Sequence, residues 1–198
     1  VLEIGSWHYE SADSMANAID ELHGVDGGGV VDSFDIRIGG YDGESQYKPN
    51  NKRVNARYWY PHHSSYDEWK YENVDNNGKH IDIPHKEFLN MTNDEITEKN
   101  IEILGECAKP FGTYDLIFLD GDHSYEGTKK DLEICSKFAD ENTLFVLDNI
   151  WEARLVRVRD FFDDLDLIKW NFEEWNDEHY KDNMVQDTGI FILQKAKV

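Results

Sequence analysis

The run Tyr114-Asp115-Leu116-Ile117-Phe118-Leu119 is apolar almost throughout, stops in Asp120-Gly121-Asp122-His123, and gives way to helical character over Glu126–Phe138. A strand buried on both faces reads as such a run, whereas a half-exposed strand alternates apolar and polar residues. The arrangement recurs along the chain. Val1-Leu2-Glu3-Ile4 reaches Gly5 ahead of a helical stretch at Ser11–Ile19, Val30–Ile36 carries Asp35 near its end, and Thr143–Leu147 runs into Asp148-Asn149. Further helical stretches fall at 94–108 and 154–162, with strands at Leu165–Trp170 and Gly189–Gln194 and a short one at His80–Ile83. Strands alternating with helices specify an α/β fold, a doubly wound and mostly parallel sheet with helices on both faces. In such sheets ligands bind at the carboxyl ends of the strands. Glu3 with Gly5, Asp35, Asp120 with Asp122, and Asp148 with Asn149 all fall where that edge is expected.

At 198 residues the chain suits one domain with one core. From Arg37 to about Asn93 no period holds, and the stretch reads as an aromatic-rich insertion or lid within that domain. A strand starting at residue 1 leaves no lead-in, which raises the expectation of a helix missing on its N-terminal side. The formal charge of −21 repels phosphate backbones and anionic lipid, which argues against nucleic acid and membrane partners. Excess acid also suits a salty habitat or plain solubility. No apolar run approaches the length of a membrane span. Cys107 and Cys135 lack metal-ligand spacing and read as reduced core thiols of a cytoplasmic protein, with a disulfide between them the lesser alternative.

Several of these positions suggest chemistry. The Gly5 turn lets a ligand approach the backbone, but it lacks the G-x-G-x-x-G of a dinucleotide site, which disfavours a nicotinamide oxidoreductase. Glu3 suits a cationic ligand better than a diphosphate; pairing with a lysine or capping a turn is the structural alternative. Asp35 ends the second strand beyond the glycine turn, roughly where an acid can accept hydrogen bonds from ribose hydroxyls, with Asp32 as the fallback. Asp120, Asp148 and Asn149 supply only oxygen, which suits Mg²⁺ or Ca²⁺ better than zinc. Equally, Asp148-Asn149 could cap a following helix.

"VLEIGSWHYESA", "VVDSFDI", "YDLIFLDGDHSYEGTKKDLE" and "LFVLDNI", in this order, resemble the Rossmann-like, class I S-adenosylmethionine-dependent methyltransferases. The likeness is greatest to small-molecule and sugar O-methyltransferases, and the metal triad is similar to that of catechol O-methyltransferase: Asp120 precedes Asp148-Asn149 by 28 residues, the interval in that enzyme. The resemblance implies that Glu3, Gly5, Ser11, Asp35 and Asp120 bind the cofactor. It also implies that Asp120, Asp148 and Asn149 hold Mg²⁺ and that Asp122 or His123 takes the acceptor's proton. Two departures stand out. Tyr9 occupies a position where the family usually has glycine, and tyrosine does not readily take a positive φ. His123 stands where catechol O-methyltransferase has a lysine base; packing beneath the loop or bonding a carboxylate is its structural alternative. The aromatics Tyr58, Trp59, Tyr60, Tyr66 and Trp69, with His62 and His63, suit a sugar or phenolic acceptor. The expected function is Mg-assisted O-methyl transfer to a small-molecule hydroxyl, with a homo-oligomer compatible. A catalytically degenerate nucleoside-binding or assembly module of the same fold is the alternative.

Overall fold

The structure is a computed structural model that describes residues 1–6, 9–36, 49–64, 66–67, 85–148, 161–171 and 189–192, the side chains of 170–171 and 189–192 excepted. It contains two compact units, Val1–Cys107 and Ala108–Val198.

In the first unit, β1 (Leu2–Ile4), β2 (Val31–Asp35) and β3 (Val54–Tyr58) form a parallel ladder in the order β1-β2-β3. Register sets Glu3 opposite Ser33 and Asp35 opposite Tyr58. Leu2, Ile4, Val31 and Phe34 are fully buried or nearly so, and each such side chain contributes roughly 1.5–3 kcal/mol over an exposed one. Helix α1 (Glu10–His23) turns Ala12 and Ala16 inward, with Met15 and Ile19 packed beside them, because residues three and four apart share a face. It stops at Gly24, whose φ of 74° suits a residue without Cβ. A 3₁₀ turn, Lys86–Asn90, precedes helix α2 (Asn93–Ala108). A capping box opens α2: Thr92 Oγ1 accepts from the Glu95 N–H at 3.2 Å while Glu95 Oε2 accepts from the Thr92 N–H at 2.7 Å.

In the second unit, β4 (Leu116–Leu119) and β5 (Leu144–Leu147) pair in parallel with Leu119 opposite Leu147. Helix α3 (Tyr125–Cys135) lies between them in sequence, capped at its start by Ser124 Oγ, which accepts from the Gly127 N–H at 3.1 Å. Strand β7 (Gly189–Ile192) is antiparallel to β5 and to β6 (Ile168–Asn171). Phe145 and Ile117 are fully buried.

The expected mostly parallel α/β arrangement is therefore present. The differences are local. β3 runs through the stretch read as an aperiodic insertion. The helix expected to reach Phe138 ends at Cys135 and tightens into a 3₁₀ turn at Ser136–Phe138. The expected strand at 80–83, most of the helical stretch at 154–162 and Trp69 lie outside the described residues. Both cysteines are free, and burial pushes the Cys135 thiol well above its usual range. Among the described residues no helix is long and apolar enough to cross a membrane.

Candidate functional site

The carboxyl end of the β1–β2–β3 ladder holds the residues expected to meet a cofactor. Glu3 is fully buried, a placement that costs several kcal/mol unless the carboxylate is hydrogen-bonded. Two hydroxyls meet that need: Ser11 Oγ, in the first turn of α1, donates to Oε1, and Ser33 Oγ, the register partner on β2, donates to Oε2. Gly5 follows with φ 89° and donates its N–H to the Phe34 carbonyl at 2.8 Å, so the turn leaves the ladder immediately after it.

Tyr9 reverses an expectation. It adopts φ 63°, ψ 14° at the N-cap of α1, the left-handed conformation that a glycine would take, while its ring is buried with Ala12, Ala16, Val31 and Val54. Left-handed backbone costs a non-glycine residue about 1–2 kcal/mol, and burial of an aromatic ring offsets it. Tyr9 itself thus takes the backbone conformation that a glycine would take there.

Asp35 is buried at the last position of β2, with its carbonyl accepting from the Trp59 N–H at 2.9 Å. Asp32, the fallback, sits near the opposite end of the strand and accepts from Asn55 Nδ2 at 3.0 Å, which removes it from the ligand edge. Two more hydroxyls bear on this edge, of which the sequence offered Tyr58 only as an acceptor-binding aromatic and Ser6 not at all. Ser6 is 2% exposed and its Oγ has no hydrogen-bond partner among the described residues; the same holds for the Tyr58 hydroxyl beside Asp35. Burial, followed by the charge on Glu87, pushes the Tyr58 phenol far up, so it is a neutral donor. Buried polar atoms left unmet at a ligand edge fit a polar small molecule.

Three of the aromatics expected to grip an acceptor are instead core. Tyr58, Trp59 and Tyr60 are all buried, with Tyr58, Tyr60 and Phe88 packed on Ile96 of α2. Asn100 fixes the segment by accepting from the Tyr60 N–H at 3.1 Å and donating to its carbonyl at 2.9 Å. His62 and His63 make hydrogen-bond contacts with Thr97 Oγ1 and the Met91 carbonyl.

In the second unit β4 and β5 end in register at Leu119 and Leu147, so Asp120 and Asp148 each follow one of two paired strand ends. Asp148 donates its N–H to the Leu119 carbonyl at 3.0 Å. His123 Nε2 lies 3.1 Å from Asp120 Oδ1, both side chains being about a quarter exposed. Asp122 turns toward the helix, its Oδ1 accepting from the Ser124 N–H at 2.8 Å. A small open cavity is lined by Asp122, His123, Asp131 and Asp148 over Leu119 and Leu147. Asp131 and Thr128, which also faces this cavity, carry no signal in the sequence beyond the helical period. Asn149 lies outside the described residues. Among the described residues no three His, Cys, Asp or Glu side chains gather as a metal site; the expected triad brings only two carboxylates, and their adjacent register fits an oxygen-ligated cation.

A family model described as a methyltransferase domain matches residues 2–150. The chain belongs to this methyltransferase family. No curated protein matches the methyltransferase significantly. Among solved structures it is similar to the O-methyltransferase from Bacillus cereus in complex with SAH, at 14% identity and TM-score 0.51, covering 96% of this chain and 71% of that one. It is also similar to the O-methyltransferase TomG from Streptomyces achromogenes in complex with SAM, at 12% identity and TM-score 0.50, covering 98% and 72%. CalS11, a calicheamicin methyltransferase, matches at 10% identity and TM-score 0.53, covering 98% and 71%. At these identities the likeness speaks for the Rossmann-like α/β fold, which the methyltransferase shares with all three.

Proposed function

We propose that this methyltransferase carries a methyl group from S-adenosylmethionine to a hydroxyl of a small molecule, a sugar or phenolic acceptor, with Mg²⁺ assistance, in the cytoplasm. The observation that supports the reading is that Asp120 and Asp148 each follow one of two paired strand ends, with an imidazole bonded to the first. Glu3, Gly5, Ser11 and Asp35 bind the cofactor. The serine bonds already fix the Glu3 carboxylate for the amino-acid end of the ligand, and Asp35 takes the ribose hydroxyls. Ser6 and Tyr58 add hydroxyls that have no other partner among the described residues. Asp120, Asp148 and Asn149 would hold Mg²⁺, which when bound lowers the pKa of a coordinated hydroxyl. His123, oriented by Asp120, accepts the proton as the acceptor oxygen attacks the methyl carbon and the carbon–sulfur bond breaks. Alignment of that oxygen supplies much of the rate.

Calorimetric titration with S-adenosylmethionine and S-adenosylhomocysteine, each with and without Mg²⁺, tests the reading. Both ligands should bind; heat from neither would favour a non-catalytic module. Asp148→Ala should lower metal-dependent turnover by about a hundredfold or more and leave S-adenosylhomocysteine affinity largely intact. Unchanged turnover would remove the metal role.

A further inference from the structure

We infer that Gly127 is a positioning residue: its bare Cα is the seat of the Asp122 carboxylate, and that seat fixes the 120–123 turn with His123 against Asp120. The use made of the turn rests on the methyl-transfer reading; the seat itself does not.

The steric observation is direct. A Cβ built on Gly127 would fall 2.0 Å from both Cγ and Oδ2 of Asp122 and 2.5 Å from its Cβ. No side chain fits there without expelling Asp122. Glycine is a poor helix former, yet Gly127 sits in the first turn of α3 and is not among the residues with positive φ. Backbone conformation therefore does not call for glycine at this position; the space does. Asp122 is held at two further points. Its Oδ1 accepts from the Ser124 N–H at 2.8 Å, and its carbonyl accepts from Thr128 Oγ1 at 2.8 Å. The Ser124 hydroxyl in turn accepts from the Gly127 N–H. Ser124, Gly127 and Thr128 form a frame around Asp122, whose neighbour in sequence is His123. In that frame the Asp122 carboxylate is committed to the backbone at the start of α3, which leaves His123, 3.1 Å from Asp120, as the proton acceptor. Gly127 and Thr128 act through the turn, and Asp122 joins them as a positioning residue.

The test uses the whole chain and two readouts: the imidazole NMR signals of His123, assigned by their loss in His123→Gln, and kcat and KM for S-adenosylmethionine. Gly127→Ala should displace the His123 signals and lower kcat by on the order of a hundredfold, as small misplacements do, with KM for the cofactor changed less than about threefold. Its thermal midpoint should hold, because alanine favours the helix. Thr128→Val removes one hydroxyl without adding bulk and should move the same signals by less, costing about threefold to tenfold in kcat. Asp122→Asn keeps the shape and an acceptor oxygen; it should cost clearly less than Asp122→Ala and less than His123→Gln. Unmoved His123 signals in both Gly127→Ala and Thr128→Val would overturn the seat. Asp122→Asn as damaging as His123→Gln would make Asp122 the proton acceptor and overturn its positioning role. If Gly127→Ala does not fold, the Thr128 and Asp122 variants decide. If the wild type turns over no hydroxyl acceptor at all, the methyl-transfer reading falls and the ring signals still decide the seat.

Discussion

The two units end their strands in the same residue type and use it in opposite ways. In the first, Glu3 and Asp35 are buried, and two serine hydroxyls donate to Glu3. In the second, Asp120 and His123 are about a quarter exposed, and Asp148 borders an open cavity. A buried carboxylate must be bonded to persist, so its geometry is set before any ligand arrives. A part-exposed carboxylate is hydrated and can exchange its water for a cation or an acceptor. The first edge is pre-organised and the second is exchangeable, so mutations in the first should be felt in folding and mutations in the second in turnover.

The largest stability effect is expected at Arg53, just before β3. Its guanidinium, 7% exposed, donates through Nε to Asp20 at 2.6 Å, through Nη1 to the carbonyls of Gly27 and Gly29, and through Nη2 to that of Gly24. Arg53→Met keeps much of the aliphatic volume and removes all four bonds. The cost should be on the order of 2–4 kcal/mol. At roughly 2–4 °C per kcal/mol for a chain of this size, that lowers the thermal midpoint by about 4–16 °C. Asp148→Ala, on the exchangeable edge, should change stability by less than about 0.5 kcal/mol. Equal midpoint shifts in the two variants would erase the distinction between the units.

Glu3→Gln should come next. Glutamine retains one acceptor oxygen and turns the other into an NH₂, so one of the two serine bonds must reverse its sense. A loss of about 1–2 kcal/mol is expected, together with weaker binding of S-adenosylhomocysteine by calorimetry. Weaker binding with no loss of stability would mean that Glu3 serves the ligand alone, and the edge would not be pre-organised by it.

Much of this was legible before the structure, for a physical reason. β4 and β5 are continuous apolar runs and β1 nearly so, a pattern that burial on both faces enforces, while β2 was marked by Val30-Val31, Phe34 and Ile36 between turn residues, so the acidic ends could be placed within a residue or two. β3 was not legible. Its sequence, Val-Asn-Ala-Arg-Tyr, alternates as a half-exposed strand does, but it is short, lies in a polar and aromatic stretch with no longer period, and the aromatics that follow it look like a binding surface until α2 is known to cover them. Tyr9 misled in the other direction, since a glycine-like conformation was realised by a residue whose ring pays for it in the core. The lock on β3 is also invisible to a search for apolar periods. Asp13, Asn17 and Asp20 form a polar stripe on α1 at the helical spacing. Asp13 accepts from the Asn50 and Asn51 N–H groups, and Asn51 Nδ2 bridges Asn17 and Asp20. At the second edge the residue types were plain and their division of labour was not. Asp122 and His123 are both credible proton acceptors on paper, and the feature that distinguishes their surroundings is the contact of Asp122 with Gly127.

Asp20 offers the smallest and sharpest test of that lock. The Arg53 hydrogen bond, then that from Asn51, holds its carboxyl below the ordinary value of 3.8. A depressed carboxylate pKa adds stability that is present above the unfolded-state value and is lost as pH falls through the folded one. The difference in urea midpoint between wild type and Asp20→Asn should therefore be constant from about pH 7 to 5 and close as the pH falls below about 4. Because the pair is partly solvated, the difference should also shrink with added salt. A gap unaffected by either variable would mean that Arg53 is held by the three glycine carbonyls and that the charge on Asp20 adds nothing. A gap that closes with acid while Arg53→Met remains costly would assign the salt-sensitive part of the lock to Asp20 and the remainder to the carbonyls.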